Sequence, residues 1–225
     1  MQISRYLDHA VLKPEMTVDE VRAAIQIGID YKVRTVCVRP CDIALAQDMC
    51  KGTETDVICV LDFPHGAGGA AAKEALAAEY AAQGVKEIDM VMNYGYLKSG
   101  RWDAVEDEVR RVTAKVHEKG ALVKVIFETS ALTIAEIKKG TELCIAAGAD
   151  FVKTSTGFGG GGATMEAVTA MLEAAGGRIK VKPSGGVRNY ETARQYIEMG
   201  CARLGVGYTS TPVICDGQGS TDTDY

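Results

Sequence analysis

Two lysines stand inside short apolar segments of the C-terminal half of the chain. Lys153 follows Phe151-Val152 and precedes Thr154 to Gly157, and Lys182 precedes Pro183 to Gly186. Such apolar runs are typical of buried parallel strands, and burial disfavours the charged form of a lysine. A lysine held neutral can attack a carbonyl carbon and form a Schiff base. The alternative is a strand-end lysine that reaches water or pairs with a carboxylate.

Asp89 adds a carboxylate in a similar position, between Ile88 and Met90 of another apolar segment. If the two lysines lie on neighbouring strands, their charges repel, and one of them loses its proton more easily. A carboxylate beside them can hold Lys182 in place and pass protons through water. The alternative for Asp89 is a simple buried ion pair. For Lys124, a structural ion pair inside the fold is the favoured interpretation.

Apolar segments alternate with amphipathic segments along the whole chain, which predicts strands alternating with helices. The predicted strands are residues 6–11, 35–38, 57–61, 87–92, 122–127, 151–154, 179–182 and 203–206. The predicted helices are residues 17–31, 70–83, 102–119, 133–147, 164–175 and 190–199.

This alternation predicts an α/β protein with a single (β/α)8 TIM barrel over residues 1–216 and a flexible tail over residues 217–225. The alternative is an open doubly wound sheet, but no Gly-x-Gly-x-x-Gly motif follows an early strand. In a barrel, the active site is built at the carboxyl ends of the strands. We therefore expect the functional side chains to meet at that end.

The predicted strand ends carry five charged residues, namely Asp8, Asp62, Asp89, Lys153 and Lys182. Glycine-rich loops follow two of these strands, at residues 157–162 and 183–188. Such loops expose backbone N–H groups, and barrels often bind phosphate near strands seven and eight in this way. His9 and His65 are interpreted as hydrogen-bonded fillers rather than acid–base groups.

The overall composition excludes several classes of partner. The chain has 225 residues, a formal net charge of −5 and a pI near 5.3, which gives no reason to expect binding to nucleic acid or to a membrane. Its start lacks the apolar run of a signal peptide. The seven cysteines are scattered, without the spacing of a zinc site. We expect a soluble cytoplasmic protein without a metal.

Taken together, these motifs resemble the deoxyribose-phosphate aldolase family, class I aldolases on a (β/α)8 barrel. The likeness spans nearly the full chain. It is carried by residues 7–9, 36–38, 63–66, 87–91, 124–129 and 150–158 and by the run Lys182-Pro183-Ser184-Gly185-Gly186-Val187-Arg188. The resemblance implies reversible cleavage of 2-deoxy-D-ribose 5-phosphate to acetaldehyde and D-glyceraldehyde 3-phosphate, with no cofactor. Lys153 would form the Schiff base, Lys182 would make it easier to deprotonate, and Asp89 would relay protons.

The same resemblance implies a substrate-binding set, made of Asp8, Cys37, Thr156, Gly157, Gly185, Gly186, Val187, Arg188 and Gly205. The expected partners are a small sugar phosphate and aldehydes, and the assembly stays open between a homodimer and a homotetramer. Some family members end in a mobile segment whose last tyrosine assists proton transfer, and this chain ends in Tyr225. A tail without function is the alternative.

The chain departs from the family after the eighth strand. Gly205-Val206-Gly207-Tyr208 stands where relatives usually have two serines that help to hold the phosphate, and Pro212 interrupts the last helix. We therefore expect a looser grip on phosphate. The competing hypotheses are the same imine chemistry on an unphosphorylated or different aldol, and a barrel that binds a sugar phosphate without catalysis.

Overall fold

Eight parallel strands form the centre of the protein, whose computed structural model describes residues 2–217. The strands are β1 (Leu7–Val11), β2 (Thr35–Val38), β3 (Asp56–Leu61), β4 (Glu87–Val91), β5 (Leu122–Ile126), β6 (Phe151–Lys153), β7 (Lys180–Lys182) and β8 (Leu204–Gly207). The helices are α1 (Val18–Asp30), α2 (Ile43–Cys50), α3 (Ala70–Ala82), α4 (Tyr94–Lys98), α5 (Trp102–His117), α6 (Ile134–Ala146), α7 (Met165–Ala175), α8 (Tyr190–Glu198) and α9 (Ser210–Cys215).

The sheet closes on itself. Consecutive strands pair from β1 to β7, and β8 pairs with β1. Between β7 and β8 the ring is completed by a parallel bridge from Ser184 to Gly205, and the Gly205 N–H donates to Pro183 O at 2.8 Å. Closure removes the free sheet edges. The predicted (β/α)8 barrel is confirmed.

Local sequence signals explain where the main helices begin. Thr17 and Thr133 each accept a hydrogen bond from the backbone N–H of a glutamate three residues later, and the side chain of that glutamate accepts one from the threonine N–H. These capping boxes satisfy N–H groups that a helix start would otherwise leave unpaired. The predicted starts at these two threonines are therefore confirmed.

The structure contains three short helices that the sequence interpretation did not place correctly. Helix α2 follows a 3₁₀ turn that begins at Pro40, and no helix is predicted there from the sequence. Helix α4 has five residues, too few for a clear hydrophobic period, and was not predicted. Pro212 does not interrupt α9 but lies in its first turn, where a proline removes no helical hydrogen bond.

The hydrophobic core lies mainly between the barrel wall and the surrounding helices, where the outward side chains of the strands pack. Val36, Val123, Val152 and Leu204 are among its fully buried members. Alternate residues of each strand point into the barrel, where buried charged side chains lie beside a smaller set of apolar ones. Within residues 2–217, no helix is long and apolar enough to cross a membrane.

Candidate active site

Seven charged side chains meet inside the barrel, and together they form what we call the charged cluster. Its members are the carboxylates Asp8, Glu87 and Asp89 and the cations Lys124, Lys153, Lys182 and Arg203. All seven are at least nine-tenths buried. Buried charges are stable only when they are paired, so the contacts among these seven groups determine what each can do.

Asp89 Oδ2 is shared by two lysines. Lys153 Nζ donates to it at 2.9 Å and Lys182 Nζ at 2.7 Å. The two lysines are register partners on β6 and β7, so their side chains lie side by side. The sequence prediction that they stand on neighbouring strands with Asp89 between them is confirmed as geometry.

A third lysine holds the other oxygen of the same carboxylate. Lys124 Nζ donates to Asp89 Oδ1 at 2.9 Å, and it also pairs with Glu87 and with Asp8 at 3.3 Å. Burial by itself would raise the pKa of Asp89, but the three surrounding ammonium groups hold it well below its usual range. The same carboxylates raise the pKa of Lys124 against the opposing effect of its burial. Lys124 is thus a fixed cation, as the structural interpretation predicts.

Asp8 lies deeper than predicted. We placed it at the carboxyl end of β1, but it is the second residue of that strand, and this placement was wrong. Its carboxylate pairs with Lys182 at 2.6 Å and Arg203 at 2.6 Å and accepts a hydrogen bond from Thr35 Oγ1 at 2.8 Å. Burial opposes its ionisation, yet the neighbouring cations lower its pKa. Asp8 therefore holds Lys182 from a position deeper in the barrel and does not face the barrel mouth.

A cavity of about 560 Å³ opens at the carboxyl ends of β6 and β7, the strands that carry Lys153 and Lys182. We call its walls the glycine cradle; they are Gly157, Phe158, Gly160, Gly161, Gly162, Gly185, Gly186 and Arg188. Successive backbone N–H groups without side chains, together with one arginine, suit an anion. The predicted residues Gly157, Gly185, Gly186 and Arg188 do come together here.

Gly205 is positioned for a steric reason. Its N–H is already bonded to Pro183 O, so it is not free for a ligand. A Cβ at this position would lie 2.2 Å from Ser184 Oγ and 3.2 Å from Lys182 Cε. The missing side chain therefore leaves room for the Lys182 stem on its way to Asp89.

An apolar wall faces the charged cluster from β1 to β3. It consists of Ala10, Leu12, Cys37, Ile58, Val60 and Phe63. Burial first and the nearby Asp89 second raise the pKa of the Cys37 thiol to about 12, which makes it a neutral part of this wall. At the mouth, the Phe63 ring meets the Phe158 ring edge-on at 5.2 Å between centroids.

Other predicted residues lie elsewhere. Val187 is buried in the outer core and does not line the cavity. Asp62 pairs with Lys73, outside the charged cluster. His9 bridges Thr211 Oγ1 and Ala24 O at 2.8 Å each, which confirms its interpretation as a hydrogen-bonded filler. Tyr225 and the predicted tail beyond Gly217 lie outside the described residues.

Glu87, Arg203 and Glu128 were missed as members of the site. Glu87 and Arg203 are charged residues within or next to apolar strands, the same signal that identified Asp89. Glu87 lies two residues before Asp89, and Arg203 lies two residues before Gly205. Because alternate residues of a strand point to the same face, this spacing could have identified both as members of the site. Glu128 follows β5 and contacts Thr156.

Buried lysines on a shared carboxylate and a cavity lined by backbone N–H groups are the features expected of a barrel aldolase for phosphorylated sugars. A family model described as DeoC/LacD family aldolase matches residues 3–207. The chain belongs to this family, and it is therefore a lyase.

Individual relatives agree with this assignment. The chain is 42% identical over 226 residues to a protein of an Exiguobacterium species named deoxyribose-phosphate aldolase, with 100% of each chain covered. Among solved structures, it is 39% identical to an aldolase named QR15, with a TM-score of 0.89 over 95% of this chain and 94% of that one. It is 26% identical to the tetrameric deoxyribose phosphate aldolase of Aeropyrum pernix, with a TM-score of 0.86 over 95% of this chain and 89% of that one. The resemblance drawn from the sequence is confirmed.

Proposed function

We propose that this chain is a class I deoxyribose-phosphate aldolase that reversibly cleaves 2-deoxy-D-ribose 5-phosphate through a Schiff base on Lys153. The observation that carries the proposal is the shared Asp89 oxygen, which holds Lys153 and Lys182 together beside the glycine cradle. A binding protein for sugar phosphates would not need two buried lysines on one carboxylate, because such a cluster is costly to bury.

The charge count supports a neutral amine in the cluster. It contains four cations and three carboxylates, so loss of one proton leaves it neutral. Lys124, Lys182 and Arg203 each pair with two or more carboxylates, whereas Lys153 pairs with Asp89 alone among residues 2–217. Lys153 is therefore the cation with the fewest carboxylate partners in the cluster.

The chemistry then follows in balanced steps. The Lys153 amine attacks C1 of the open-chain sugar, and uptake of one proton with loss of water gives an iminium ion. Removal of the proton from the C3 hydroxyl lets the C2–C3 bond break, and its electrons neutralise the iminium to an enamine while glyceraldehyde 3-phosphate leaves. Protonation at C2 and hydrolysis release acetaldehyde and restore the amine.

Asp89 and Lys182 have separate roles in these steps. The iminium carries the positive charge that an ammonium would carry, so Asp89 Oδ2 at 2.9 Å from Lys153 Nζ stabilises it. Asp89 relays the proton taken from the C3 hydroxyl, and Lys182 Nζ, 2.7 Å from the same oxygen, donates the proton that C2 receives. The apolar wall faces the two-carbon donor and limits water around the enamine.

The test is turnover of purified protein with 2-deoxyribose 5-phosphate, compared with Lys153→Leu. We expect the wild type to release acetaldehyde and the variant to lose at least about 10⁴-fold in kcat/KM, because the covalent route is gone. A variant that folds as shown by circular dichroism and still turns over at the wild-type rate would refute the role of Lys153. A wild type that releases no acetaldehyde would refute the substrate.

We also propose a loose requirement for the phosphate group. Two of the backbone donors after β7 are already used, since the Gly205 N–H binds Pro183 O and the Tyr208 N–H binds Ala10 O at 3.1 Å. No serine hydroxyl stands at residues 205–208 to replace them. Hydrogen bonds to a charged group contribute roughly 1.5–3 kcal/mol each. Losing one or two lowers the preference for phosphorylated substrate by about one to four powers of ten.

The measurement for this second proposal is the ratio of kcat/KM for 2-deoxyribose 5-phosphate to that for 2-deoxyribose. The same ratio is measured for the Exiguobacterium relative, which is 42% identical. If the relative has serines at the aligned positions and both proteins discriminate equally, the remaining cradle donors suffice and the proposal is wrong.

We further propose that the barrel over residues 1–216 acts in the cytoplasm as a homodimer or a homotetramer, with residues 217–225 as its tail. The tetrameric relative from Aeropyrum pernix supports an oligomer. Light scattering coupled to gel filtration should give two or four times the chain mass of 23.9 kDa, and a single-chain mass would contradict it.

A further inference from the structure

Glu128 is a buried carboxylate to which the proposed chemistry gives no role. It directly follows Phe127 after β5, is 3% exposed, and forms no ion pair among the described residues. Its backbone is left-handed, with φ 56° and ψ 64°. A residue with a Cβ adopts this conformation rarely, and it persists only where the surroundings hold it. The contacts of its side chain show what those surroundings are.

One oxygen of Glu128 fixes the turn at which the glycine cradle begins. Oε2 accepts hydrogen bonds from the Thr156 hydroxyl and from the Thr156 N–H at 3.4 Å. Thr156 Oγ1 in turn accepts from the Phe158 N–H at 3.0 Å. A continuous hydrogen-bonded chain therefore runs from Glu128 into the cavity wall.

The Glu128 carboxylate also packs against the loop that forms the glycine cradle, at Gly159. A Cβ on Gly159 would lie 2.8 Å from both Cδ and Oε2 of Glu128. Further along, a Cβ on Gly161 would lie 2.4 Å from Ser130 Cβ, and one on Gly162 would lie 2.4 Å from Gly185 O. At Gly159, Gly161 and Gly162 the loop is thus packed closely against the segment after β5 and the loop after β7.

We infer that Glu128 is a positioning residue for the phosphate group, acting through Thr156 and the backbone at Gly159. Its negative charge opposes an anion, so its contribution comes from holding the N–H groups of the cradle in place before the ligand arrives. The identity of the ligand as a sugar phosphate rests on the proposed function. The geometry itself requires only an anion in the cavity.

Replacing Glu128 with glutamine or with alanine separates the effect of its hydrogen bonds from the effect of its charge. In Glu128→Gln, the amide oxygen still accepts hydrogen bonds from Thr156. The amide nitrogen replaces Oε1, which has no hydrogen-bond partner among the described residues, so no hydrogen bond is lost there. In Glu128→Ala, the loop loses its support. Thr156→Val breaks the same chain from the other end, and Thr156→Ser restores the hydroxyl.

The experiment is a titration of each variant with inorganic phosphate, followed by ³¹P NMR. We expect Kd to rise about tenfold in Glu128→Ala and in Thr156→Val, while Glu128→Gln binds as tightly as the wild type or tighter. Thr156→Ser should recover the affinity lost in Thr156→Val. The double variant Glu128→Ala/Thr156→Val should lose about tenfold, not a hundredfold, because both changes break one linkage.

Steady-state kinetics provide a second readout, because the KM for 2-deoxyribose 5-phosphate should rise with the phosphate Kd while the KM for 2-deoxyribose does not. Glu108→Gln is the control, a buried carboxylate on α5 that accepts from the Asn93 N–H away from the cradle. It should lower stability and leave the phosphate Kd unchanged.

Three results would overturn the inference: an unchanged phosphate Kd in Glu128→Ala, a Glu128→Gln variant as weak as Glu128→Ala, or equal losses for both substrates. If Glu128→Ala does not fold, the phosphate Kd values of Thr156→Val and Thr156→Ser still test whether the Glu128–Thr156 linkage positions the cradle. The titration needs no turnover, so it would still test the role of Glu128 if the aldolase assay failed.

Discussion

Lys73 and Lys153 are both buried lysines beside an aspartate, but their ammonium groups are satisfied to different degrees. Lys73, on α3, donates to Gly66 O, Val91 O and Glu108 Oε1, each at 2.8 Å. An ammonium group has three N–H donors, so all of them are used. This lysine joins the loop after β3, the end of β4 and helix α5.

Lys153 has one acceptor among the described residues, Asp89 Oδ2, and it shares that oxygen with Lys182. Two of its three donors have no protein partner within residues 2–217. Its strand also leads into the glycine cradle, whereas Lys73 extends from α3 towards the ends of β3 and β4 and helix α5. Burial alone therefore does not identify a nucleophile. The number of acceptors separates the structural Lys73 from Lys153, for which we propose reactivity.

Of the changes that test this comparison of Lys73 with Lys153, removing the shared Asp89 carboxylate should lower kcat most. In Asp89→Asn, three lysines lose their common anion, and neither the iminium nor the proton transfer is stabilised. We expect kcat to fall about 10³-fold and KM to change less than about fivefold, measured by steady-state kinetics.

The control is Asp62→Asn, which removes the carboxylate 3.3 Å from Lys73. It should leave kcat within about threefold of the wild type, because Asp62 lies outside the charged cluster. A loss in Asp62→Asn as large as in Asp89→Asn would mean that both lysines serve the reaction.

Replacing the structural lysine should reduce stability instead of chemistry. Lys73→Met leaves the Glu108 carboxylate buried without its cation, which costs about 3 kcal/mol of unfolding free energy or more. Urea unfolding measures this loss, and kcat per folded molecule should stay within about threefold. The double variant Lys73→Met/Glu108→Leu should recover part of the stability. Unaltered stability in Lys73→Met would contradict its structural role.

A smaller effect should follow from adding a methyl group beside Lys182. A Cβ in Gly205→Ala would lie 2.7 Å from Ser184 Cβ and 3.2 Å from Lys182 Cε, so Lys182 must shift away from Asp89. We expect kcat to fall about tenfold. Adding Ser184→Gly removes the two closest clashing atoms, so that the new methyl group can move away from Lys182, and it should restore part of the rate. No recovery in the double variant would argue against steric displacement.

The pH dependence of stability should differ in sign between the two lysine sites. The pKa of Asp89 is lowered in the fold, so its contribution is present above the unfolded value of about 4 and is lost as the pH falls further. The pKa of Glu108 is raised, mainly by burial and against the pull of Lys73, so the folded state binds its proton first and gains stability on acidification.

Urea unfolding between about pH 3 and pH 7 tests this difference. Asp89→Asn should flatten the loss of stability at low pH, and Glu108→Gln should steepen it. If the unfolding free energy depends on pH with the same slope in both variants, the folded state does not shift the pKa values of Asp89 and Glu108 in opposite directions.

The sequence predicts the barrel well because each strand and helix carries its own periodic signal and caps. It also identifies Lys153, Lys182 and Asp89, since charges in apolar strands are rare. It does not predict which charges pair, because the partners lie up to 195 residues apart, as Asp8 and Arg203 do. The depth of Asp8 and the support from Glu128 likewise depend on strand register, which a single sequence does not specify.

The central claim is that Lys153 forms the imine, and the most direct measurement is to map the trapped lysine. The wild-type protein is incubated with acetaldehyde and reduced with borohydride, and its peptides are sequenced by mass spectrometry. We predict an ethyl group on Lys153 at near-complete occupancy, with Lys73, Lys124 and Lys182 unmodified. A modification concentrated on Lys182, or one spread evenly over surface lysines, would contradict the account.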